Sequence, residues 1–141
     1  MKFNLHKPLI CLGVFPIEDV LPFLEVERKI FRDRQGRDWS LNLTSQRLKL
    51  FRGNRTCVCC GIEGTFLKLE QHLPQDVPHF NLYASTELYG DMMLTKDHII
   101  PKSAGGLCIM SNYQTMCARC NAIKDNQDIT LEQLRIMVSN G

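Results

Sequence analysis

Thr95-Lys96-Asp97-His98-Ile99-Ile100-Pro101-Lys102-Ser103-Ala104-Gly105-Gly106, continued by Ser111-Asn112-Tyr113-Gln114-Thr115-Met116-Cys117-Ala118-Arg119-Cys120-Asn121-Ala122-Ile123-Lys124, decides the fold of this chain. Met92 to Pro101 reads as a strand, Ala104-Gly105-Gly106 as a loop, and Tyr113 to Met116 as a short second strand. Ala118 to about Asp125 reads as a helix, which completes a β-β-α unit. Cys117, Cys120, Asn121 and Lys124 fall at i, i+3, i+4 and i+7, so they share one helix face. Ser103, Gly105 and Gly106 suit either a turn that passes near a phosphate or an ordinary turn.

Cys117 and Cys120 form one Cys-x-x-Cys knuckle, and Cys57 and Cys60 form a second. Structural zinc takes four tetrahedral ligands and favours thiolates, so two knuckles supply a closed site. A zinc there would staple two distant segments and would not be a catalytic ion. Cys59 leaves a different ligand pair open, and His72 and His79 are alternative donors, although solvated histidines are the commoner outcome. Seven cysteines cannot all pair within one chain, and two knuckles point to metal in a reducing compartment. Cys11 and Cys108, outside both knuckles, are expected to be buried apolar thiols.

The quoted stretch also gathers the residue types of hydrolytic metal chemistry. His98 is the natural general base, because a neutral imidazole near pH 7 accepts a proton from water. Asp97 precedes it, and Asn112 and Asn121 follow. Asp97 and His98 are neighbours, and neighbours on a regular strand face opposite ways. One site can use both only if the strand is distorted or the metal lies near its edge.

In this order of residues the second half of the chain resembles the HNH nuclease family, whose fold is called ββα-metal. The resemblance implies that His98 is the base, that Asp97 and Asn121 hold one divalent ion, and that Asn112 braces the loop between the strands. Asn121 stands where the third residue of the family name would be His, and this HNN variant occurs in active members. An amide oxygen is a harder ligand than imidazole and suits Mg²⁺, with Mn²⁺ as the alternative. Lys124 is a typical residue of the family, for which the expectation is phosphate contact or plain solvation. The implied function is a metal-dependent DNA endonuclease that leaves 5′-phosphate and 3′-hydroxyl ends. Its relatives read mainly backbone, across the minor groove. The expected partner is double-stranded DNA, and the expected setting is a phage or mobile-element nuclease in the cytoplasm. The competing reading is a non-catalytic zinc-stapled nucleic-acid-binding module.

The rest of the chain is read from charge and pattern. The net charge of +2 over 141 residues hides a basic stretch between Arg28 and Arg55, opposed there only by Asp33 and Asp38. Arg32, Arg34 and Arg37 are its candidate phosphate contacts, against the alternative of a solvated face. Lys29 to Asp33 and Arg37 to Leu41 flank Gln35-Gly36 as a basic hairpin anchored by Trp39. Ile17 to Leu24 suits a short helix. Thr44 or Ser45 can cap another, which runs to about Phe51 and ends at Gly53-Asn54. Thr65 to Gln71 and Phe80 to Ala84 read as strands. Thr130-Leu131-Glu132-Gln133 is a capping box that opens a last helix, with Leu131, Leu134, Ile136 and Val138 facing the core. Lys2 and Lys7 before the apolar Pro8 to Phe15 imitate a signal peptide, but the run is short and Glu18-Asp19 follow, so secretion is not expected. No apolar run approaches the roughly 20 residues of a membrane span. The fold class expected is α+β, with residues 1–56 as a basic, DNA-positioning helix and hairpin extension and residues 57–141 as a zinc-stapled ββα-metal domain.

Overall fold

The computed structural model describes residues 8–140. Lys2 and Lys7 lie outside the described residues. A five-stranded antiparallel sheet runs in the order β1 (Ile10–Pro16), β4 (Phe66–Gln71), β5 (His79–Thr86), β6 (Gly90–His98), β7 (Tyr113–Cys117). A separate hairpin joins β2 (Lys29–Arg32) to β3 (Asp38–Leu41). The helices are α1 (Ile17–Val20), α2 (Gln46–Gly53), α3 (Ala118–Lys124) and α4 (Leu131–Asn140). The α+β class expected from the sequence is the one observed. Among the described residues no helix is long and apolar enough to cross a membrane.

The apolar segment before Glu18 is a strand, with Leu12 buried and β1 paired along β4. The hairpin docks on this sheet through aromatic rings. Phe31 meets Phe80 edge-on at 4.9 Å and Phe15 at 5.8 Å, and Phe15 meets Phe80 at 5.3 Å. Edge-to-face pairs of this kind contribute about 0.5–1.5 kcal/mol each beyond the area they bury. The hairpin turn is organised by Asp33. Its carboxylate accepts from the Gln35 and Arg37 amides, the Arg37 guanidinium and the Trp39 indole. Trp39 therefore anchors the turn through its N–H as well as its ring.

Ser45 is the residue that caps α2, where its hydroxyl accepts from the Leu48 amide at 3.2 Å. Leu48 and Phe51, one turn apart, are the buried face of α2. Thr130 and Gln133 exchange the two hydrogen bonds of a capping box at the start of α4. Leu134 is its buried residue, and Leu131, Met137 and Val138 pack partly against the core. Ile136, expected inside, is exposed, because the helix turns Met137 inward beside Leu134 instead.

The β-β-α unit is β6, β7 and α3. The strand expected to reach Pro101 stops at His98. Beyond it the Asn112 backbone carbonyl accepts from the Ile99 amide, and the Asn112 side chain takes over both groups of Ile100.

Candidate functional site

The cross-strand register of β6 and β7 builds the site. Asp97 pairs with Gln114 and His98 with Tyr113. Pairs directly opposite share one face of a sheet. Asp97 and Gln114 face α3, and the Gln114 amide donates to Asp97 Oδ2 at 2.9 Å. Thr95, two residues before Asp97, shares that face and accepts from Asn121 Nδ2 at 2.8 Å. His98 points to the other face, edge-on to the Tyr113 ring at 5.0 Å. The Tyr113 hydroxyl donates to Gln46 of α2 at 3.0 Å, which fixes that ring in turn.

The neighbour problem posed by the sequence is resolved by position. Asp97 and His98 do face opposite ways, yet both line one cavity of about 230 Å³ where β6 ends. Lys96, Pro101, Lys102, Ser103, Asn121, Lys124, Asp125 and Asn126 complete its walls. Asp125 closes α3 at the rim with φ +54°. Burial first, and then the ammonium groups of Lys102 and Lys96, lower the pKa of His98 below its ordinary 6.5. The imidazole is therefore neutral at pH 7, the form a base requires.

Asn112 lies in the loop and ties it together. Its Oδ1 accepts from the Ile100 amide at 2.9 Å, and its Nδ2 donates to the carbonyls of Ile100 at 3.0 Å and Leu107 at 2.9 Å. Gly105 adopts φ +90°, and a Cβ on Gly106 would lie 1.7 Å from the Ile100 carbonyl oxygen. The turn is thus a tight one that demands glycine, with Ser103 on the cavity wall.

Lys124 is not solvated. Its side chain is 3% exposed, and its ammonium donates to Asp97 Oδ2 and to the His98 carbonyl, each at 2.6 Å. The hydrogen bonds to the Asp97 carboxylate go to Oδ2. Asp97 and Asn121 both line the cavity, one carrying carboxylate oxygens and the other an amide oxygen. Both are hard oxygen donors of the kind Mg²⁺ or Mn²⁺ takes, so the residues present fit such an ion.

The four knuckle sulfurs of Cys57, Cys60, Cys117 and Cys120 lie within 4.8 Å of one another, so they could hold a metal ion. Cys59 is not among them. Hydrogen bonds from Cys117 and then Cys120 hold the Cys57 pKa far below the ordinary thiol value. The cluster is strapped to β7: Val58 N donates to the Thr115 carbonyl at 3.0 Å, and the Thr115 hydroxyl donates to the Asn54 carbonyl at 2.8 Å. His72 and His79 are exposed and outside the group.

Cys11 and Cys108 depart from expectation. Cys11 is half-buried with its sulfur beside the Arg34 guanidinium, and Cys108 is exposed, 3.6 Å from His98 Nε2. Cys108 belongs to a loop held by hydrogen bonds to Asn112, not by burial, so nothing draws its thiol inward.

The basic hairpin carries its own counter-charges. Arg32 pairs with Asp38 at 2.9 Å and Arg37 with Asp33 at 3.1 Å; outside the hairpin, Arg52 of α2 pairs with Glu25. Arg47 is half-buried, donating to the Phe80 carbonyl and the Asn81 side chain, where desolvation lowers its pKa. Sequence reasoning missed Gln114 and Thr95, although pairing the strands in register or counting by two along β6 would have found each.

Residues 86–133 match the family model described as HNH endonuclease, which supports for this segment the resemblance read from its residues. The matched segment spans the end of β5, the whole β-β-α unit and the start of α4. No curated protein and no solved structure matches the chain. The β-β-α unit, with two of the four clustered cysteines at its β7–α3 junction, lies within the segment that is similar to HNH endonucleases.

Proposed function

We propose that the protein is a metal-dependent endonuclease that hydrolyses phosphodiester bonds of duplex DNA at the cavity below His98. The observation that carries this reading is that Asp97, His98 and Asn121 line one cavity inside the segment matched by the HNH family. His98, neutral at pH 7, takes a proton from a water that attacks phosphorus in line. The bond from phosphorus to the 3′ oxygen breaks and that oxygen takes a proton from solvent water, leaving a 5′-phosphate and a 3′-hydroxyl. Asp97 Oδ1 and the Asn121 amide oxygen would hold Mg²⁺ or Mn²⁺. Such an ion, when bound, stabilises charge on the phosphorane and on the leaving oxygen. Asn112 keeps the loop after His98 in place, so that the imidazole meets the substrate at a fixed angle. Cys57, Cys60, Cys117 and Cys120 hold a structural zinc that fixes the start of α3, and with it Asn121. Arg32, Arg34 and Arg37 contribute affinity for the phosphate backbone and take no part in the chemistry.

Relaxation of supercoiled plasmid tests the reading. The purified protein should nick or cut in Mg²⁺ or Mn²⁺ and stop in EDTA. A protein that binds duplex DNA yet leaves plasmid supercoiled in either ion would be a non-catalytic binding module.

A further inference from the structure

Lys124 is the buried charge for which neither stability nor phosphate contact accounts. Its side chain is 3% exposed and that of Asp97 is 8% exposed. Burying such a pair costs desolvation of both ions, and well-packed apolar residues in its place are often as stable or more so. The ammonium is also not presented to solvent, as a phosphate contact would be. What it does is join two groups that the strand sends apart. It binds the side chain of Asp97 and the backbone carbonyl of His98, and Gln114 shares the same Asp97 oxygen.

We propose that Lys124 is a positioning residue: its ammonium clamps Asp97 Oδ2 and the His98 carbonyl, so that two adjacent residues of opposite facing serve one site and Asp97 offers a cation only Oδ1. This rests on the nuclease reading above for its chemical meaning, but the clamp itself can be tested without cleavage. A fixed positive charge at 2.6 Å from the carboxylate has two opposed consequences. It weakens the hold of Asp97 on a divalent ion, because like charges repel. It also holds the last residue of β6 at a fixed angle to the cavity, which a base needs.

The test uses Lys124→Met, which keeps length and removes charge, and Lys124→Arg, which keeps charge, both in the full chain with its zinc. Circular dichroism checks folding, calorimetric titration with Mn²⁺ reads metal affinity, and single-turnover cleavage of a bound duplex reads chemistry. Lys124→Met should bind Mn²⁺ at least threefold more tightly, and yet cleave bound DNA at least tenfold more slowly, with unchanged DNA affinity. Lys124→Arg should recover part of the rate. Unchanged Mn²⁺ affinity would overturn the proposal, as would a loss cured by saturating DNA together with a flatter salt dependence, which marks a phosphate contact. Should Lys124→Met fail to fold, ¹⁵N-lysine NMR of the parent decides. A slowly exchanging ammonium signal, absent in Lys124→Arg and persisting in Mg²⁺, is expected; fast exchange at every lysine overturns the clamp. If the parent cleaves no DNA, the nuclease reading fails, while the Mn²⁺ and NMR results still judge the clamp.

Discussion

Asn121 donates its amide N–H to the Thr95 hydroxyl, a bond that does not use its oxygen, and the residue lines the cavity. If that oxygen holds the divalent ion, Asn121→Ala should need much more Mg²⁺ or cleave almost nothing, and should keep its zinc. Asn121→His should retain activity, with Mn²⁺ favoured over Mg²⁺. Parental cleavage by Asn121→Ala across a Mg²⁺ titration would move the ligand role to Asp125 or Asn126, which line the same cavity. At this scale the sequence was legible where helix periodicity applied: Asn121 and Lys124 both reach β6, as residues three apart on one helix face should. It was not legible for what Lys124 touches. Spacing gives a face, but whether an ammonium on that face meets a phosphate or a carboxylate depends on the strand packed against it.

The hairpin β2–β3 shows the same division between elements and their environment. Gln35-Gly36 and the flanking alternation mark it in the sequence, and both strands lie where that pattern puts them. The role of Asp33 was hidden, because its partners are organised by the turn itself. The Trp39 indole first, with the Arg37 and Gln35 amides and the Arg37 guanidinium, holds its carboxyl down to about 2. An unfolded Asp titrates near ~3.9. The folded pKa is the lower one, so the stability Asp33 contributes is complete above ~4 and is lost as pH falls towards 2. Asp33→Asn should therefore melt below the parent at pH 6, and the gap should close as pH falls from 4 to 2. A gap that stays constant over that range would remove Asp33 from the account. The arginines of the same hairpin can be tested by salt. Replacing Arg32, Arg34 and Arg37 together with Ala should flatten log affinity against log salt by about 0.9 for each phosphate that the protein no longer neutralises. An unchanged slope would make them a solvated surface already matched to Asp38 and Asp33.

Across the whole molecule, the cysteine cluster joins segments far apart in sequence: the Cys60 and Cys117 sulfurs, 57 positions apart, lie 3.7 Å from each other. The knuckle spacing made this legible, since two Cys-x-x-Cys pairs suit one tetrahedral ion wherever they fall in the chain. The way β1 and the hairpin join the sheet was not legible, because the rings of Phe15, Phe31 and Phe80 meet only once the strands are ordered. Protein purified without added metal should carry about one zinc per chain. Cys117→Ser should lose it and melt lower, because binding free energy at such a site is folding free energy. Retained zinc and an unchanged melting temperature would refute the assignment. Whether His98 is the base of a phosphodiester hydrolysis is decided by single-turnover cleavage of a bound duplex in saturating Mg²⁺ by the parent and by His98→Ala. His98→Ala should lose rate on the order of 10²–10⁴-fold with DNA affinity and zinc content unchanged; a loss under about tenfold would exclude His98 as the base.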